Sequence, residues 1–162
     1  MNAIMTFVGA LLAGTVGLAS AQPPAAAADI RHGRYLIQIA GCNDCHTAGY
    51  MQNDGQVPEA EWLTGDAIGW QGAWGTTYPA NLRLLFQQID EQAWLVRARQ
   101  AMRPPMPSPS LRAMSDADLK AIYRYVRSLG AKGQPVPAYA PPGELVATPY
   151  FDFTPKNLPP GH

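Results

Sequence analysis

Both cysteines of the 162-residue chain, and one of its three histidines, fall within five consecutive residues, Cys42-Asn43-Asp44-Cys45-His46. Whatever fold the chain adopts must present these side chains together. A disulfide between Cys42 and Cys45 closes a loop too short to constrain the unfolded chain much. A redox dithiol of this spacing opens a helix in a βαβ setting, and no strand pattern surrounds it here. A structural zinc site wants four ligands, and beyond the motif only His32, His162 and scattered carboxylates remain. The C-x-x-C-H spacing fits covalent haem attachment. Two thiols three positions apart reach the two vinyl groups on one edge of a porphyrin, and the adjoining histidine then falls under the ring with a nitrogen on the iron. The expected cofactor is therefore one covalently attached haem c.

The start of the chain agrees with export. Residues 4–18, IMTFVGALLAGTVGL, are apolar and uncharged, and Ala19-Ser20-Ala21 has the small-residue pattern of a signal-peptidase site. A signal peptide over 1–21 is expected, although no Lys or Arg precedes Arg31. The apolar run is short for a membrane span, so no stable membrane insertion is expected after cleavage, and the mature protein is expected in the periplasm. Twelve Lys plus Arg balance twelve Asp plus Glu, which gives no basic surface for nucleic acid and only weak steering by net charge.

A Pro/Ala linker is expected over 22–28, with structure from Asp29. There DIRHGRYLIQIAGC places Ile30, Ile37 and Ala40 at helical spacing, with Asp29 as N-cap, and leads straight into the motif. Periodicity fails from Thr47 to Ile89, where Trp62, Trp70, Trp74 and Tyr78 are mixed with Gly, Asn and Pro. Such a stretch needs a surface for its aromatics. A helix is predicted over Asp90–Met102, capped by Asp90 and stopped by RPPMPSPS. The clearest helix is SDADLKAIYRYVRSLG, with Ser115 and Asp118 as a capping box, an apolar stripe of Leu119, Ile122, Tyr123 and Val126, and Gly130 just past its end. Residues 131–162 read as a Pro-rich C-terminal extension, either a strap over its own domain or a tether for a partner.

The second axial ligand decides what a haem does. Met51, Met102, Met106, Met114, His32 and His162 are the candidates. Met106 stands in RPPMPSP, where flanking prolines stiffen the backbone and fix where the thioether points. Met102 and Met114 sit in or beside helices, Met51 is too near His46 to cross to the other ring face, and His162 is at a terminus.

Taken together, GRYLIQIAGCNDCH, WGTTYPANL, RPPMPSP and SDADLKAIYRYVRSLG resemble the class I cytochrome c family over residues 29–130, in particular bacterial periplasmic monohaem cytochromes and the haem subunits of dehydrogenases. The resemblance implies an all-α fold of few helices and long loops wrapped around one covalent haem. It implies thioethers at Cys42 and Cys45, axial ligation by His46 and Met106, and a first helix crossing the last with Gly33 near Tyr123. With both axial positions filled, the expected function is one-electron transfer, not enzymatic turnover, between redox partners such as a donor dehydrogenase and a respiratory acceptor. A haem subunit of a dehydrogenase complex, or a sensor or enzyme with an open axial site, are the alternatives. A loop from Trp62 to Tyr78 is expected to wrap the ring, and Trp74 and Tyr78 from that loop, with Arg83 and Arg103 beyond it, are the candidate partners for the haem propionates.

Overall fold

The computed structural model describes residues 25–159, so the expected signal peptide and His162 lie outside the described residues. Among the described residues six α-helices carry the fold: α1 Ala25–Ile39, α2 Cys42–His46, α3 Leu82–Gln88, α4 Glu91–Arg99, α5 Ser108–Ala113 and α6 Asp116–Ser128. This is the mainly helical, loop-rich architecture that the resemblance implies. Three short strands join it, β1 Gly69–Gly72, β2 Gly75–Thr77 and β3 Tyr150–Asp152.

Helix α1 starts at Ala25, so residues 25–28 of the expected linker are helical. Alanine has the highest helix propensity and no side-chain entropy to lose, which lets the helix extend beyond its first polar residue. Asp29 is thus not an N-cap. Its carboxylate instead accepts from Arg124 on α6.

The α1–α6 crossing organises the core. A Cβ on Gly33 would lie 2.0 Å from the Ala121 carbonyl oxygen and 2.8 Å from Tyr125 Cβ. Only glycine lets the two backbones approach so closely. The contact falls on Ala121 and Tyr125 where the resemblance placed Tyr123. One face of α6 meets α1, and Tyr123 belongs to another face, stacking on Phe86 of α3 with ring centroids 5.5 Å apart. Ile37, Leu119 and Val126 are fully buried, each contributing about 1.5–3 kcal/mol by leaving water. Both ends of α6 are finished as its sequence predicts. Ser115 Oγ accepts from the Asp118 amide at 3.1 Å and Asp118 Oδ2 from the Ser115 amide at 3.2 Å, while Gly130 takes a left-handed φ of 72°. Helix α4 has its Asp90 cap, at 2.7 Å from the Ala93 amide, but ends at Arg99, short of Met102.

The strands correct the expectation of a strandless chain. β1 pairs antiparallel with β2 and parallel with β3, in the order β2-β1-β3. β3 comes from the C-terminal extension, which packs on its own domain at Tyr139, Ala140, Thr148 and residues 150–153. On the way it crosses β2, where Thr76 and Ala140 exchange two backbone hydrogen bonds at 2.8 and 3.0 Å. Phe151 and Phe153 then pack on Trp70 with ring centroids 5.0 and 5.2 Å apart. Gly75, at φ 94°, permits the crossing, since a Cβ there would stand 2.2 Å from the Ala140 carbonyl oxygen.

Candidate functional site

Helix α2 is a single turn entered through Gly41 in the left-handed region, at φ 67°. It brings Cys42, Cys45 and His46 to the wall of a cavity of about 730 Å³, within the range of about 300–1,000 Å³ common for cofactor sites. Core side chains, Ile37, Leu85, Phe86 and Trp94 among them, make much of the remaining wall.

His46 is buried, and its Nδ1 lies 2.7 Å from the Ala80 carbonyl oxygen. A carbonyl only accepts, so Nδ1 carries the proton and the lone pair is left on Nε2. Burial pushes the imidazole pKa down, against the pull of that hydrogen bond, and favours the neutral ring. The backbone beneath is tied twice. Gly65 donates to the His46 carbonyl at 2.8 Å, and Thr47 Oγ1 donates to Asn43 Oδ1 while accepting from the Leu63 amide, both at 2.8 Å. Leu63 is fully buried with φ 62°, a conformation that costs a branched residue about 1–3 kcal/mol and persists only where neighbours hold it. Its carbonyl accepts the amides of Leu82 and Arg83 at 3.0 and 3.3 Å, which couples the motif to α3.

The thiols are free, and neither is poised as a thiolate. Burial, then the Asp44 carboxylate, push Cys42 up to about 12 and raise Cys45 also. This is the opposite of the electropositive setting that a reactive dithiol needs. Among the described residues no three His, Cys, Asp or Glu side chains are grouped to hold a metal ion.

Three methionines, Met102, Met106 and Met114, line the cavity. The segment between α4 and α5 that carries the first two is pinned from several sides. Thr77 Oγ1 donates to the Pro104 carbonyl at 2.8 Å, Ser108 Oγ accepts from the Met102 amide at 2.9 Å, and the two helices that flank the segment are clamped together, Arg99 Nη1 of α4 donating to the carbonyls of Leu111, Arg112 and Met114 at the end of α5 at 2.9–3.1 Å. The other candidates lie elsewhere. Met51 is exposed, and His32 pairs with Asp118 at 2.7 Å on the surface.

The Trp-rich loop divides between core and cavity. Trp70 and Tyr78 line the cavity. Trp62 is buried in the core with Nε1 donating to the Val57 carbonyl at 2.8 Å, and Trp74 donates to the Trp70 carbonyl at 3.2 Å without reaching the cavity. Arg83 is no propionate partner. Its guanidinium is buried and donates to the carbonyls of Gly130 at 2.7 Å, Ala60 at 2.9 Å and Leu129. It closes the C-terminal end of α6, where unpaired carbonyls need donors. Replacing Arg83 with leucine strips them together, and a loss of about 3 kcal/mol in unfolding free energy is expected by denaturant titration.

Arg103, in contrast, lines the cavity, as do Arg97 and two residues of the C-terminal extension, Pro137 and Tyr139, none of these three among the site residues expected from the sequence. Among the described residues no Asp or Glu lines it. An apolar cavity with two arginines, two free thiols, a neutral histidine with an open lone pair and soft thioethers suits a planar apolar macrocycle that bears iron and two carboxylates.

The comparisons agree with this chemistry. The family model for cytochrome c matches residues 30–130. The chain is 29% identical over 124 residues to the cytochrome c subunit of alcohol dehydrogenase (quinone) from Gluconacetobacter polyoxogenes, and equally to that from Komagataeibacter europaeus. The match covers 75% of this chain but 26% of either relative, so the chain spans about a quarter of their length. No solved structure matches it. With more than half of its length matched by the family model, the chain belongs to the cytochrome c family and is an electron carrier with one covalently attached haem c.

Proposed function

We propose that Cys42 and Cys45 would hold the haem through two thioethers, that His46 Nε2 and the Met106 sulfur would ligate its iron, and that the protein carries single electrons in the periplasm between a donor such as a dehydrogenase and a respiratory acceptor. The observation that carries this reading is the buried His46 with its Nδ1 proton committed to Ala80 at 2.7 Å, on the same cavity as both thiols. When bound, the haem supplies a one-electron iron couple, whose ferrous state a methionine ligand favours relative to two histidines.

The chain's own residues do the rest. The Ala80 carbonyl holds the imidazole in one tautomer and orientation and makes Nε2 more basic. The prolines around Met106, with the Thr77 and Ser108 hydrogen bonds, fix a soft weak ligand before the cofactor arrives. Phe86, Trp94, Leu85 and Trp70 present an apolar wall that excludes water and lowers the local dielectric. The names of the matched relatives favour a second reading, a haem subunit working within a dehydrogenase complex.

Optical spectra of the exported protein test the proposal. Expected are a haem that stays attached after acid-solvent extraction, low-spin spectra in both oxidation states, and no carbon monoxide binding on reduction. A high-spin haem, or ready carbon monoxide binding, would replace the carrier with an open-site sensor or enzyme.

A further inference from the structure

The family match ends at residue 130, yet Tyr139 reaches the cavity wall. Its hydroxyl donates to the Trp74 carbonyl at 2.8 Å, and the neighbouring Ala140 is laddered to Thr76, so the ring is held from both sides. The Arg103 guanidinium lies over that ring, 4.0 Å from its centroid. Among the described residues this guanidinium has no carboxylate partner, and Arg97, the other cation at the cavity, has neither carboxylate nor aromatic platform. A long exposed arginine ordinarily samples many rotamers. One stacked on an aromatic face is restrained, with its hydrogen-bond donors left over for another partner. Haem carries two carboxylates into a cavity whose walls offer two arginines and no acid.

We infer that Tyr139 is a positioning residue of the haem site: its ring holds Arg103 at the cavity wall as the partner of a haem carboxylate, so that the reduction potential depends on the C-terminal extension. The inference rests on the covalent-haem reading proposed above. A cation held near the iron favours the reduced state, which carries one positive charge fewer. Loss of the cation, or of the platform that holds it, lowers the potential.

The test is redox titration of the full-length haem protein against a one-electron mediator. For Arg103→Gln the equilibrium constant for reduction is expected to fall about three- to tenfold, the effect of one charge lost at an intermediate dielectric. Tyr139→Leu shifts it in the same direction, and the double variant falls no further than Arg103→Gln alone, because the two residues act through one contact. Tyr139→Phe, which keeps the ring, stays within about twofold of native. Should Tyr139→Leu not fold, Arg103→Lys replaces it, since an ammonium keeps the charge but loses the flat stacked face; a lowered constant supports the inference and a native one overturns it. The inference also falls if Arg103→Gln is silent, if Tyr139→Leu is silent, or if the two shifts add. Native protein without attached haem would instead overturn the underlying reading, before any variant is compared.

Discussion

In the oxidised Met106→Ala protein, the weak near-infrared sulfur-to-iron band is expected to be absent, and the reduced variant is expected to bind carbon monoxide. Alanine has no donor atom, so on the proposed ligation the iron would lose one protein ligand while Cys42, Cys45 and His46 would still hold the haem. Near-infrared absorption and carbon monoxide titration make the check. The comparators matter because Met102 and Met114 line the same cavity. Met102 has its amide on Ser108 Oγ, and Met114 caps the end of α5 with its carbonyl on Arg99. Their alanine variants are expected to keep the band and to lose about 2–5 kcal/mol of stability as ordinary large-to-small changes. If Met102→Ala abolished the band and Met106→Ala kept it, the ligand would sit at the other end of the 100–107 segment.

Gly33→Leu is the second large effect, and it acts far from the iron. The added Cβ alone would stand 2.0 Å from the Ala121 carbonyl oxygen, and what it meets is helix backbone, which cannot swing aside as a side chain can. Relief requires α1 and α6 to separate, which uncovers Ile37, Leu119 and Tyr125. A loss exceeding about 4 kcal/mol is expected, a large share of the 5–15 kcal/mol that stabilises a typical domain. Thermal unfolding of the holoprotein and the yield of haem protein would both report it. Native-like values would mean that the crossing is looser than its geometry.

The parts of the fold legible in the sequence are those written locally. Helix α6 announces its start with Ser115 and Asp118 and its end with Gly130, and Asp90 announces α4. The C-x-x-C-H spacing carries its chemistry within five residues. Features assembled from distant segments were not legible. β1 and β2 are only four and three residues long, with glycine in both, and β3 joins them from far along the chain. Arg83, read as a candidate propionate partner, stands between two leucines with no local sign of the carbonyls that converge on it, which only the tertiary fold reveals. The Trp-rich loop gave aromatics without addresses. Trp62 went to the core and Trp70 to the cavity because the backbone ties at Leu63 and Gly65 direct the chain between them.

The strap also sets an order of events. Tyr78 and Thr148 meet across seventy residues of chain, their hydroxyls 2.5 Å apart, and the ladder between β1 and β3 spans a similar separation. The strap follows α6 in the chain, so its contacts come after the segments ahead of it have been made. In a polypeptide emerging from its N-terminus, the cysteine pair is therefore presented while the Tyr139 side of the cavity is still missing. The wall supplied by Pro137 and Tyr139 is the last part of the cavity to be added.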